Sequence, residues 1–74
     1  MEIKVRLFAT LRENWGKELI LSQNNGITPK EIIKQLNIPE ADVAILLVNG
    51  RDGSLGQELT DKDVVSIFPP VGGG

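Results

Sequence analysis

With 74 residues, 10 acidic against 8 basic side chains and neither cysteine nor histidine, the chain has material for one small core, which at this size buries only about 60% of the unfolded surface. The missing residue types exclude a disulfide framework, a thiolate or imidazole zinc site, and nucleophilic catalysis of the Ser-His or Cys-His kind within the chain. A formal net charge of −2 and a pI near 4.9 argue against nucleic acid as the main partner, since phosphate binding needs a basic footprint.

The stretch from Glu2 to Leu7 alternates polar and apolar side chains, the period of a strand that buries Ile3, Val5 and Leu7 on one face. Phe8 breaks the alternation. By parity it belongs with Glu2, Lys4 and Arg6 on the solvent face, and the alternative is that it folds back into the core at the strand's end. Ala9 to Trp15 spans about two helical turns, with Leu11 and Trp15 four apart on one side and Gly16 available as a stop. Lys17 to Ser22 returns as a strand beside the first, and Gln23-Asn24-Asn25-Gly26 is a run of turn formers.

The clearest helix start follows. Thr28 and Glu31 have the spacing of a capping box, Pro29 sits at N1 where its missing N–H costs nothing, and Ile27 and Ile32 are placed as a hydrophobic staple. Ile32, Ile33 and Leu36 form the apolar stripe, and the helix is expected to stop before Pro39. Val43 to Val48 is continuously apolar, which predicts a strand contacted on both faces, and it is far shorter than the about 20 residues a membrane-spanning helix requires. With no signal segment at the start, neither a membrane nor an exported form is expected, and a cytoplasmic protein is the default. Asn49-Gly50 closes that strand with a type I′ hairpin signal. Arg51 to Glu58 is glycine-punctuated and irregular, Thr60-Asp61-Lys62-Asp63 is a turn, and Val64 to Phe68 is the last strand.

The order strand, short helix, strand, capped helix, strand, irregular crossing, strand describes an α+β unit in which one helix covers one sheet face and leaves the other open. If the first and last strands are central neighbours, Phe8 and Phe68 meet on the open face. Beyond Phe68 the sequence reads Pro69-Pro70-Val71-Gly72-Gly73-Gly74. The prolines end the strand and project the chain, while ordering each glycine costs roughly 1–2 kcal/mol with no side chain to offset it. Residues 1–70 are therefore expected to be the folded domain and 71–74 a tail mobile when free. The tail is either an ordinary frayed end or a thread for a narrow channel that presents the α-carboxylate of Gly74.

Lys4 to Glu13, the Val48-Asn49-Gly50-Arg51 turn, the Leu59 to Asp63 turn and the stretch from Val65 to Gly74 together resemble the MoaD/ThiS sulfur carriers, with the nearest likeness to the small subunits of molybdopterin synthase. The resemblance covers essentially the whole chain. It implies a β-grasp, ubiquitin-like fold and a carrier, not an enzyme acting alone. A ubiquitin-activating-like enzyme would adenylate Gly74 with ATP, a sulfur donor would convert the adenylate to a thiocarboxylate, and the large synthase subunit would pass that sulfur to a pterin precursor. No cofactor would be bound by the chain itself. Gly73 would thread the channel behind Gly74; Phe8, Arg12 and Phe68, followed by Pro69, Pro70, Val71 and Gly72, would meet the partners. Lys62 departs from the pattern, since the family often has glycine there, and a turn needing positive φ would strain a lysine. Three functions stay open: a carrier for the molybdenum or tungsten form of molybdopterin, a carrier for another pathway such as thiamine thiazole or cysteine synthesis, and a protein modifier or a β-grasp interaction domain without covalent chemistry.

Overall fold

The computed structural model describes residues 1–70. The expected mobility of the tail, and the roles expected of Val71, Gly72, Gly73 and Gly74, lie outside those residues.

Chain order gives β1 (Glu2–Leu7), a 3₁₀ turn (Ala9–Leu11), α1 (Arg12–Trp15), β2 (Glu18–Ser22), α2 (Pro29–Gln35), a second 3₁₀ turn (Glu40–Asp42), β3 (Ile45–Val48), β4 (Arg51–Asp52) and β5 (Val64–Phe68). The strands form one five-stranded sheet in the order β2-β1-β5-β3-β4. β1 and β2 are antiparallel, with Val5 opposite Leu19. β1 and β5 are parallel central neighbours, Leu7 opposite Ile67, and β3 runs antiparallel to β5 with Ile45 opposite Phe68.

The alternation in β1 is obeyed without exception: Ile3, Val5 and Leu7 are fully buried while Glu2 and Arg6 face water. Val65 and Ile67 of β5 continue that face, and Ile32, Ile33 and Leu36 of α2 close over it. Each such side chain taken out of water contributes about 1.5–3 kcal/mol. α2 starts as its sequence predicts, with Pro29 at N1 and Thr28 Oγ1 accepting from the Glu31 amide at 3.3 Å. The reciprocal half of the capping box is different from expectation. The Glu31 carboxylate accepts from the Thr28 hydroxyl at 3.2 Å, so the side chains pair with each other.

α2 ends at Gln35, four residues before Pro39, for a local reason. Asn37 takes φ of 57°, its amide donates to Lys34 O at 3.1 Å and the Ile38 amide donates to Ile33 O at 2.8 Å. That is the Schellman pattern, completed by burial of both Ile38 and Ile33.

Two expectations change. The helix read over Ala9 to Trp15 is split into a 3₁₀ turn and a single α turn, ended by Gly16 at φ 79°. β3 is not covered on both faces: Ile45 is 52% exposed, because α2 covers only the opposite side of the sheet and nothing in residues 1–70 lies over this one. The irregular crossing also proves to be built into the core. Lys30 N donates to Leu55 O at 3.0 Å and Leu59 N to Ile27 O at 2.8 Å, which seats Leu59 among the buried residues at 2% exposure.

Candidate functional site

The extended backbone of β1 continues one residue past its ladder: Phe8 has φ −125° and ψ 154°, so strict alternation carries its ring to the open face. Phe68, on the matching parity of β5, points the same way. Because β1 and β5 are parallel and Leu7 stands opposite Ile67, position 8 falls beside position 68. The rings stack with centroids 4.0 Å apart and planes 10° from parallel, an arrangement that adds about 0.5–1.5 kcal/mol to what area burial gives. Both rings remain half-buried. The alternative in which Phe8 folds into the core is thereby set aside.

Ala9 then turns the chain with φ of 53°, a left-handed conformation that costs an alanine about 1–2 kcal/mol. What holds it there is the residue that follows in the short α turn. Arg12 Nε donates to Leu7 O at 2.8 Å, capping the end of β1 and setting the guanidinium 5.3 Å from the Phe8 centroid. Arg6 approaches the same ring at 5.8 Å. Both distances are within cation–π range. On the other side of the loop, Trp15 Nε1 donates to Leu36 O at 3.1 Å, which ties the loop to the C-terminus of α2.

These residues border an apolar groove of about 450 Å³ lined by Phe8, Ala9, Thr10, Ala44, Ile45, Phe68, Pro69 and Pro70. Its lining is aromatic and aliphatic, and Arg6 and Arg12 bring positive charge to the Phe8 ring that forms part of it. Among the described residues no group of His, Cys, Asp or Glu is arranged to hold a metal ion, and no helix is long and apolar enough to cross a membrane. The groove offers shape, aromatic surface and charge, which suits it to recognition.

Of the side chains singled out in the sequence, Phe8, Arg12, Phe68, Pro69 and Pro70 converge here. Val71 to Gly74 lie beyond the described residues. Sequence reasoning missed Arg6, Ala9, Thr10, Ala44 and Ile45. Ile45 was hidden by the unbroken apolar run around it, and the signal that reveals it is pairing: once β3 is antiparallel to β5, position 45 stands opposite Phe68 and shares its face.

The sequence matches the ThiS family over residues 5–74. It is 32% identical over 92 residues to small archaeal modifier protein 3 of Haloferax volcanii, with all of both chains covered. Among solved structures, a Pyrococcus furiosus protein assigned as molybdopterin converting factor subunit 1 superposes with a TM-score of 0.79 at 30% identity, covering 96% of this chain and 99% of that one. The complex of subunits 1 and 2 of the molybdopterin-converting factor from Helicobacter pylori also matches, with a TM-score of 0.67 and 29% identity over the whole of both chains. The mixed five-stranded sheet crossed by one helix is the ubiquitin-like β-grasp of these neighbours. The chain belongs to the ThiS family, the ubiquitin-like sulfur carriers and modifiers.

Proposed function

We propose that this protein carries sulfur for molybdopterin synthesis, as the small subunit of a two-part synthase. Gly74 is the residue activated. In the activating enzyme its carboxylate attacks the α-phosphate of ATP and pyrophosphate leaves. A sulfur donor then displaces AMP from the acyl-adenylate to give a thiocarboxylate. The large subunit passes that sulfur to a pterin precursor, and water, cleaving the acyl–sulfur bond, supplies the oxygen that restores the carboxylate. The route answers a chemical need: a carboxylate is a poor electrophile until adenylated, and a chain without cysteine has no side-chain thiol to hold the sulfur.

The observation that carries this reading is the position of the stacked Phe8–Phe68 pair at the end of β5. A partner seated on the groove over residues 1–70 receives the following residues directly. At about 3.3–3.6 Å per residue, Val71 to Gly74 reach at most about 14 Å, so docking surface and reacting carboxylate serve one partner at a time. Gly72 and Gly73 leave the channel walls no Cβ to meet. The likeness to molybdopterin converting factor subunit 1, and to the complex of that subunit with subunit 2, supports a large-subunit partner. Activation by cellular ATP goes with a cytoplasmic location. On this proposal the protein is consumed and recharged, and is no catalyst alone.

A second reading is favoured by the likeness to small archaeal modifier protein 3: the activated Gly74 is transferred to lysine amines of other proteins. Intact-mass analysis separates the two. With ATP, a sulfur source and the activating enzyme, the carrier gains the mass difference between sulfur and oxygen, and addition of the large subunit with pterin precursor returns it to the starting mass. Deleting Gly74 abolishes both changes and leaves the fold intact. Recovery of Gly74 only in isopeptide linkage, with no thiocarboxylate consumed by a small substrate, overturns the sulfur-carrier proposal in favour of the modifier.

A further inference from the structure

Two Asn-Gly pairs, Asn25-Gly26 and Asn49-Gly50, stand in turns of the described chain with both asparagines exposed, and the proposed function uses neither. In such a pair the glycine nitrogen attacks the asparagine Cγ. The new N–C bond forms as the C–Nδ2 bond breaks, ammonia leaves, and water then opens the cyclic imide at either carbonyl to give aspartate or its β-linked isomer. The balance is an NH₂ exchanged for an OH, with water the only co-reactant. Glycine permits it because no Cβ blocks the approach. Ring closure also requires the side-chain amide to turn onto the next nitrogen, so whatever grips that amide sets the rate.

Asn49 is gripped at both ends. Its Nδ2 donates to Asp63 Oδ1 at 2.9 Å, its Oδ1 accepts from the Val64 amide at 2.9 Å, and its own amide donates to Val64 O at 2.8 Å. Asp63 is fixed in turn by the Thr60 amide at 2.8 Å and the Thr60 hydroxyl at 3.2 Å. Asn25 makes no side-chain hydrogen bond among the described residues. Its turn is closed by a 3.3 Å bond from the Ile27 amide to Asn24 O, the neighbouring Gln23 and Gln35 amides being engaged with each other, and it borders an open polar groove of about 290 Å³.

We propose that Asn25 is a spontaneous deamidation site of the folded protein and that the Asp63–Asn49–Val64 latch withholds the same chemistry from Asn49. The site lies at the far end of the sheet from the docking groove: Asn25 follows Ser22, which pairs with Glu2 at the start of β1, whereas Phe8 and Phe68 stand at the other ends of their strands. Modification therefore adds a negative charge beside Glu31 without touching the groove.

The test is site-resolved peptide mass analysis of the purified chain incubated folded and in urea. In urea both asparagines deamidate at comparable rates. In the folded protein Asn25 continues to do so, while Asn49 slows by roughly 10- to 100-fold, the factor a retained hydrogen bond to a charged group supplies. Asp63→Ala restores the Asn49 rate and leaves that of Asn25 unchanged, and a native circular dichroism spectrum together with a cooperative urea transition shows that the variant is folded. The wild-type comparison of folded with unfolded protein stands without the variant. Equal rates at Asn25 and Asn49 in the folded wild type, or an Asn49 rate unmoved by Asp63→Ala in folded protein, overturn the proposal.

Discussion

Truncating Phe8 and Phe68 separates a docking surface from a core, because the two assign different energies to the same rings. A fully buried phenylalanine cut to alanine costs about 3–5 kcal/mol. Both rings here are half-buried, so each single truncation is expected to cost about half of that, roughly 1.5–2.5 kcal/mol. The stack at 4.0 Å is shared by the two residues, and its part, about 0.5–1.5 kcal/mol, appears as the coupling energy of the Phe8→Ala, Phe68→Ala double-mutant cycle. Urea unfolding followed through the fluorescence of Trp15, the one tryptophan of the chain, measures all four proteins, with an unchanged m-value showing that the same surface unfolds. Titration against the large subunit then measures docking, where an anchoring aromatic lost from an interface costs about 2 kcal/mol or more, on the order of 30-fold in affinity. A stability loss of the full buried-residue size in either single variant, or wild-type affinity in folded variants, would refute the reasoning.

Thr28→Ala removes the acceptor for the Glu31 amide and is expected to lower stability by about 1 kcal/mol, read from the same urea midpoint. For Asp63, desolvation pushes the carboxyl up, but hydrogen bonds from the Thr60 amide, the Asn49 amide and the Thr60 hydroxyl together outweigh it and hold the pKa below the ordinary 3.8. A folded-state pKa below the unfolded one gives stability that is present above the unfolded value and lost as pH falls through the folded value. Asp63→Asn should therefore flatten the acid side of the stability profile between those two values; Arg51, Asp52 and Glu58, which line the same groove, are retained in the comparison. Lys62 sits at φ 72°, so Lys62→Gly should unfold at higher urea than Lys62→Ala: both lose the 3.1 Å pair with Glu2, and only glycine escapes the left-handed strain.

Legibility followed the range of the interactions. The alternation of β1, the cap and Pro29 of α2, and the Asn49-Gly50 turn, with φ of 54° and 80°, are written in residues a few positions apart, and each was readable. The strain at Lys62 was readable only through the family resemblance, in which that position often holds glycine. Ile45 and Leu59 were not. Ile45 looks buried from its neighbours and is exposed because α2 covers the other face, while Leu59 looks like turn material and is buried because its amide bonds to Ile27 O across 32 positions of sequence. Arg6 joined the site for the same kind of reason. Its approach to Phe8 depends on the ring's orientation, which is set by Phe68 at the far end of the chain.

That long-range pairing also explains why the aromatic groove lies at the edge of the sheet where β5 ends. β1 and β5 are parallel, so both strands end at the same edge of the sheet, and an aromatic placed at the end of each is brought into contact by the ladder alone. With an antiparallel pair, the end of β1 would lie beside Val64, and Phe8 would be separated from Phe68 by the length of β5, about 13 Å at 3.3 Å per residue. The aromatic surface would then be split, with half of it at the end from which no tail departs. The loop from Ala9 to Gly16 completes the arrangement. Arg12 binds back to Leu7 O and Trp15 to Leu36 O, so the loop that follows Phe8 is fastened at one point to the end of β1 and at another to the C-terminal end of α2.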